Sequence, residues 1–246
     1  MTWLVLLVAF AATGAILVYG LLAWEHIVRR RRESEPGTAW AATARARAAR
    51  PATEADAPRG FGRDACWLAV PADDSHAVAR ALGLRTVLPA NWSAGLAEAA
   101  TAGVFVSPPV EGLVFVVGRD LLGKAAPGDV LLPRLERLSA QFGRACWFCA
   151  DGEHDVFGWA LAERGVLLRG YAFAEPDGTA FWHGDVTAIE RQLDCFVDDP
   201  RDRSDDDVKW WPDRRLVHTI AAAWSVDPDR LGEARAGGGL GQVGRI

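Results

Sequence analysis

Seven aspartates lie close together between residues 194 and 207, and clustered carboxylates can bind Mg²⁺ or Ca²⁺. They are Asp194, Asp198, Asp199, Asp202, Asp205, Asp206 and Asp207. The glycine and closing glutamate of a calcium-binding loop are missing, and basic residues are interleaved at Arg201, Arg203 and Lys209. This acidic segment (residues 194–207) is therefore expected to be solvated. Its functional alternatives are a docking surface for a basic partner and a metal site in a hydrolase.

Two cysteines, Cys146 and Cys149, have the spacing of a redox pair or of half a zinc site. We predict that both lie inside one strand, where positions i and i+3 point to opposite faces and the two sulfurs diverge. A zinc site needs further ligands, and Cys66 and Cys195 show no paired spacing. All four are therefore expected to be reduced residues of the core.

The five histidines are His26, His76, His154, His183 and His218. None of them belongs to a His-x-x-x-His pair, and the chain has no Gly-x-Ser-x-Gly motif and no glycine-rich phosphate loop after a strand. The sequence thus predicts no catalytic, cofactor-binding or metal-binding residue.

Eleven tryptophans are many for 246 residues. Several fall in predicted loops, and aromatic residues beside an acidic stretch are typical of an interface hot spot. The predicted partner-binding residues are Trp92, Trp182, Asp205, Asp206, Asp207, Trp210 and Trp211. The alternative is that these rings pack the loops onto the sheet.

Hydrophobic periodicity and turn signals predict the elements that position these residues. Strands are expected at Ala65–Pro71, Val104–Ser107, Leu113–Gly118, Ala145–Ala150, Val156–Glu163 and Val166–Ala174, extended by Phe181–His183. Helices are expected from Asp74 or Ser75 to Leu82, from Asp129 to Phe142, from Thr187 to Leu193 and from Pro212 onward. Residues 85–102 are predicted to be irregular. Closely spaced strands favour an α+β fold, an antiparallel β-meander sheet with flanking helices.

The first 32 residues indicate a transmembrane anchor with a basic stop. Residues 2–24 carry no charge and span roughly 34 Å as a helix, enough for a hydrocarbon layer of about 30 Å. Four arginines follow this run at 29–32 and no basic residue precedes it, so the positive-inside rule places the later residues in the cytoplasm. A signal peptide is the alternative, but it requires a positive start. We expect a single-pass inner (plasma) membrane protein with its N-terminus outside.

Composition divides the rest of the chain into a flexible linker (33–60), one soluble domain (61–231) and a glycine-rich disordered tail (232–246). The domain is long enough to bury one core. Acidic residues outnumber basic ones in it, and the whole chain has a net charge of −5. Such a surface repels phosphate backbones, which excludes nucleic acid and favours a basic or neutral protein partner.

Three stretches resemble a family of uncharacterised bacterial proteins. They are Asn91–Gly95 (NWSAG), Val104–Val110 (VFVSPPV) with Gly112 and Val116–Gly118, and Ala221–Pro228 (AAAWSVDP). The resemblance covers about residues 65–231, brings no catalytic residues and implies an immunity-type role, the neutralisation of a toxin. We therefore expect a membrane-tethered, non-enzymatic binding module without a cofactor. The alternative is a metal-dependent hydrolase that uses the acidic segment.

Overall fold

The structure, a computed structural model, describes residues 54–61, 64–101, 103–118, 121, 127–152, 154–174, 178–196, 211–234 and 239–246. These residues belong to one compact unit that spans residues 50–246. The predicted membrane helix over residues 2–24, its basic stop and most of the predicted linker lie outside the described residues. Across the described ranges, no helix is both long enough and apolar enough to cross a membrane.

Antiparallel strands form a single sheet of nine strands within the described residues. They are β1 (Ala65–Pro71), β2 (Arg85–Ala90), β3 (Val104–Val106), β4 (Leu113–Val117), β5 (Arg144–Asp151), β6 (Val156–Glu163), β7 (Val166–Ala174), β8 (Gly178–His183) and β9 (Gly241–Arg245). Their order across the sheet is β2-β9-β3-β4-β1-β5-β6-β7-β8. The predicted α+β fold with an antiparallel meander, β5 to β8, is confirmed.

Helices cover both faces of this sheet. They are α1 (Ser75–Leu82), α2 (Trp92–Ala99), α3 (Pro127–Phe142), α4 (Ala188–Gln192), α5 (Arg214–Trp224) and a 3₁₀ helix (Pro228–Glu233). On one face α1 and α3 pack against a core that contains Leu68 and Trp147. On the other face α2, α5 and the 3₁₀ helix pack against a core that contains Trp67 and Phe148. Both faces of the central strands are therefore buried.

Local sequence signals mark both ends of α1 and the start of α4 at the predicted positions. The Asp74 carboxylate accepts a hydrogen bond from the His76 backbone N–H at 2.8 Å, and Gly83 closes α1 with a φ of +72°. Thr187 and Glu190 form the predicted capping box at the start of α4. These three short-range patterns depend only on neighbouring residues, which is why the sequence contains them in full.

The prediction that residues 85–102 are irregular is wrong, because β2 and α2 lie there. β2 is an edge strand with mostly exposed side chains, so it lacks the alternating pattern of a half-buried strand, and such an edge tolerates Pro89. α2 begins at Asn91, whose side chain accepts a hydrogen bond from the Ala94 N–H at 3.0 Å. This helix is amphipathic only weakly, so its apolar periodicity is hard to recognise.

The prediction of a disordered tail over 232–246 is also wrong, because residues 228–233 are helical and β9 lies between β2 and β3. The glycines of β9 allow a close approach of neighbouring chain segments. A Cβ at Gly241 would lie 2.4 Å from the carbonyl oxygen of Val106, and one at Gly244 would lie 2.6 Å from that of Arg85. Glycine in this stretch therefore reflects tight packing rather than disorder.

The domain also extends before its predicted start at residue 61. The Asp56 carboxylate accepts hydrogen bonds from the backbone N–H groups of Trp92 (2.6 Å) and Ser93 (2.9 Å) and from the Ser93 hydroxyl. Burial alone would raise the pKa of Asp56, but these hydrogen bonds outweigh it and hold the pKa below its usual value. Residues 54–60, predicted as linker, thus include a cap for α2.

The cysteines are only partly as predicted. Cys146 and Cys149 lie in β5 and point to opposite faces of the sheet, as expected. The expectation that all four are reduced is wrong for Cys66 and Cys149, which lie directly opposite each other on β1 and β5 and are joined by a disulfide. Cys146 and Cys195 remain buried thiols. Sequence spacing does not reveal a cross-strand pair 83 residues apart.

Candidate functional site

The predicted partner-binding residues fall into three groups in the structure. Trp92 is 1% exposed and packs edge-to-face against Phe105 in the core, so its predicted role at an interface is wrong. Trp182, which is half-buried, and Trp211, which is exposed, lie on the same face of the sheet. Asp205, Asp206, Asp207 and Trp210 lie outside the described residues, and the prediction for them stays a prediction.

Trp182 and Trp211 belong to an aromatic face formed by Trp159, Tyr171, Phe173, Trp182, Phe196 and Trp211. Phe196 lies at its centre, with ring centroids 4.7 Å from Trp182 and 4.8 Å from Tyr171. The Trp211 ring meets Phe173 edge-to-face at 4.9 Å. Edge-to-face pairs at these distances contribute about 0.5–1.5 kcal/mol each beyond burial. The rings are therefore held in fixed positions.

A buried ion pair supports this face from below. Arg169 and Glu190 are 1% and 0% exposed, and Arg169 Nε donates to the two Glu190 carboxylate oxygens at 2.8 and 3.1 Å. Trp159 Nε1 and the Thr187 backbone N–H also donate to Glu190, at 2.7 and 2.6 Å. The carboxylate thus receives hydrogen bonds from three residues, which a buried charge requires.

Arg169 connects this pair to the surface. Its Nη1 donates to the backbone carbonyls of Gly170 (3.0 Å) and His183 (2.9 Å), and its guanidinium carbon lies 4.2 Å from the centroid of the Trp182 ring. Trp182 is thereby fixed by a cation–π contact as well as by its neighbouring rings. Sequence reasoning missed Arg169. The capping box predicts that Glu190 caps the start of α4, but it does not predict that the same carboxylate pairs with an arginine on β7.

The acidic segment begins on this face. Phe196 has a φ of +61°, a conformation that a bulky residue rarely adopts, and its contacts with Trp182 and Tyr171 hold it there. Asp194, with a φ of +52°, is exposed. Four residues after the segment ends, the Trp211 ring packs against Phe173 on the same face. The hydrolase alternative rests on aspartates that lie mostly outside the described residues, and it also stays a prediction.

A second constellation lies on the same side of the sheet, between α5 and the 3₁₀ helix. His218 Nδ1 lies 3.4 Å from Asp227 Oδ1 and 3.3 Å from Asp229 Oδ2, and Arg214 Nη2 lies 3.2 Å from Asp229 Oδ1. These residues line an open cleft of about 600 Å³. Burial, the largest influence, lowers the pKa of His218, and Arg214 lowers it too, against the opposing effect of Asp227 and Asp229.

Sequence reasoning missed this cleft because its residues form no known motif. Asp227 and Pro228 are predicted to cap a turn, and Asp227 does accept a hydrogen bond from the Asp229 N–H at 3.0 Å. The chain reversal that returns both aspartates to His218 depends on how the 3₁₀ helix packs on α5. His218 precedes Asp227 by nine residues, and this spacing alone does not indicate that the two side chains meet.

The two remaining thiols are poor candidates for a nucleophile. Burial raises the pKa of Cys146 to about 11 and that of Cys195 to about 12. Both therefore stay protonated at neutral pH, and the reactive thiolate is scarcely populated. This agrees with the structural role that the sequence predicts for them.

The fold and these two constellations define an α+β protein with a rigid aromatic face and a separate His–Asp–Asp cleft. The chain matches no family model, and comparisons with curated proteins and with solved structures likewise give no match. The immunity-type resemblance of the three short stretches thus stays a prediction.

Proposed function

We propose that the domain is a non-enzymatic binding module that recognises a basic protein partner through Trp182, Trp211 and the acidic segment. The observation that carries this proposal is Trp211, which is 49% exposed while its ring is fixed against Phe173. An aromatic side chain that is already ordered loses little conformational entropy when a partner covers it. Tryptophan is also among the residues most enriched in interface hot spots.

The charge beside this ring favours a basic partner. Asp207 precedes Trp211 by four positions, so the chain keeps its backbone within about 14 Å of Trp211. Asp206 and Asp205 lie one and two residues further from Trp211 along the chain. Carboxylates at the rim of an aromatic contact mainly accelerate association and select the charge of the partner. The identity implied by the resemblance, a toxin neutralised by its immunity protein, fits this chemistry.

Loss of the Trp211 ring is expected to weaken partner binding by roughly 30-fold or more, the effect of removing a hot spot of about 2 kcal/mol. The full chain and its Trp211→Ala variant would be used to purify the partner from the native host, and the dissociation constants would then be measured with the purified partner.

The matched control is Val87→Ala. Val87 is 43% exposed on β2, at the opposite edge of the sheet from β8. This variant should bind as tightly as the unmodified chain. Equal affinities of Trp211→Ala and Val87→Ala for the partner would contradict the proposed surface. So would an affinity that does not change when the salt concentration is raised, because salt screens the attraction between the acidic segment and a basic partner.

The proposal includes the membrane tether at residues 2–24 and a cytoplasmic location, supported by the arginines at 29–32. The Cys66–Cys149 disulfide opposes this location, because disulfides persist in oxidising compartments. A cytoplasmic location therefore requires that this pair, which is oxidised in the structure, be reduced in the living cell. Intact cells would be quenched in acid to stop thiol exchange, and the thiols would then be alkylated in denaturant at neutral pH and counted by mass spectrometry. A pair that escapes alkylation unless reductant is added first would place the domain outside the cytoplasm.

A further inference from the structure

We propose that His218, Asp227 and Asp229 form a binding site for a divalent transition-metal ion, with Zn²⁺ as the ion that fits best. One potential ligand atom from each residue lies within 4.8 Å of the other two. Imidazole nitrogen and carboxylate oxygen are both ordinary zinc ligands. This site is separate from the binding surface proposed above, and the two proposals stand or fall independently.

The distances between the ligand atoms match those around a tetrahedral ion. Metal–ligand distances of about 2.0–2.1 Å place neighbouring ligand atoms about 3.3–3.4 Å apart. His218 Nδ1 lies 3.4 Å from Asp227 Oδ1 and 3.3 Å from Asp229 Oδ2. The third pair, the carboxylate oxygens of Asp227 and Asp229, lies within 4.8 Å, so small side-chain shifts are enough to bring all three ligand atoms to one ion.

Hydrogen bonding explains this arrangement less well. At 3.4 and 3.3 Å, both distances are longer than the typical N–H···O hydrogen bond of about 2.9 Å. His218 Nδ1 can carry one proton, whereas two carboxylates face it.

Supporting contacts fix each ligand. The His218 ring packs edge-to-face on the buried Trp67 ring, with centroids 5.6 Å apart. Asp227 is held as the cap of the 3₁₀ helix, where it accepts the Asp229 N–H. Arg214 Nη2 binds Asp229 at 3.2 and 3.3 Å and orients this carboxylate, although its positive charge also lowers the affinity for a cation.

The cleft leaves the ion accessible from one side. His218 is nearly buried, while the Asp229 side chain is 52% exposed and lines the open cleft of about 600 Å³. Three protein ligands facing solvent leave a fourth position for water or for a ligand atom of a bound molecule, in contrast to the closed four-ligand sites that serve only structure.

The test is isothermal titration of the full chain, purified in detergent without a polyhistidine tag, with Zn²⁺, Co²⁺ and Mg²⁺. We expect one Zn²⁺ per chain, a visible absorption band of tetrahedral Co²⁺, and no response to Mg²⁺. Asp229→Asn should weaken Zn²⁺ binding at least 10-fold, and His218→Gln should abolish it. Asp229 is exposed enough that its variant should fold even if the His218 variant does not.

The matched control is Glu233→Gln, on the same 3₁₀ helix, because Glu233 pairs with Arg230 and not with His218. It should bind Zn²⁺ like the unmodified chain. No stoichiometric Zn²⁺ binding, or binding that Asp229→Asn leaves unchanged, would overturn the proposal. A cobalt spectrum with thiolate charge-transfer bands would do so too, since it would assign the ion to Cys146 or Cys195.

Discussion

Removal of residues 241–246 is expected to abolish cooperative folding of the domain. β9 is hydrogen-bonded to β2 on one side and to β3 on the other, so its loss leaves β2 without a neighbouring strand in the sheet. It also removes the buried Val243 and leaves β3 as an unpaired edge strand. The deletion would be examined by far-UV circular dichroism and by urea unfolding, where we expect no sharp transition.

A single substitution in β9 tests the packing of this strand without removing it. In Gly241→Val the new side chain would meet the Val106 carbonyl at 2.4 Å and the Phe105 ring at 2.7 Å, an overpacking that typically costs about 1–3 kcal/mol. Gly232→Ala is the control, because its Cβ would meet nothing closer than 3.9 Å. An unfolding midpoint unchanged by both the deletion and Gly241→Val would show that β9 is not part of the sheet.

Replacement of Glu190 by alanine is expected to lower the free energy of unfolding by about 3–5 kcal/mol, because it leaves the Arg169 charge buried without its partner. The free energy of unfolding of most domains is only about 5–15 kcal/mol, so the variant should be marginally folded. Urea unfolding followed by tryptophan fluorescence measures this, and Trp159 reports locally because its indole N–H donates to Glu190.

The control is another Arg–Glu pair that differs mainly in exposure. Arg230 and Glu233 are 73% and 70% exposed, so Glu233→Ala should cost at most about 1 kcal/mol. The double variant Arg169→Met, Glu190→Leu should recover only part of the loss. It removes the unpaired buried charge, but it leaves the N–H donors of Trp159 and Thr187 without their acceptor. Similar losses for Glu190→Ala and Glu233→Ala would show that burial does not determine the strength of the pair.

The sequence predicts the elements whose signals are local. β1 and β5 to β7 are dense runs of apolar and aromatic residues, and α1 and α4 carry their own caps. Their type follows from the periodicity of a few residues, and the structure confirms it. The same local reasoning places Cys146 and Cys149 on opposite faces of one strand.

The errors concern contacts between distant segments. β9 looks like a disordered tail because its glycines matter only where β3 and β2 approach. Trp92 looks exposed because its burial depends on Phe105, and Asp227 gives no sign that it faces His218. Such contacts depend on how the helices and strands are arranged in space, and a single sequence does not show this arrangement.

The position of β9 has a consequence for the order of events during synthesis. β2 and β3 emerge from the ribosome well before β9, the strand that must lie between them. At about 5–20 residues per second this delay is on the order of ten seconds. During this time β2 and β3 lack the strand that joins them, and their edges are open to mispairing or to binding by chaperones. The sheet described here can therefore be completed only after β9, the last of its nine strands along the chain, has been synthesised.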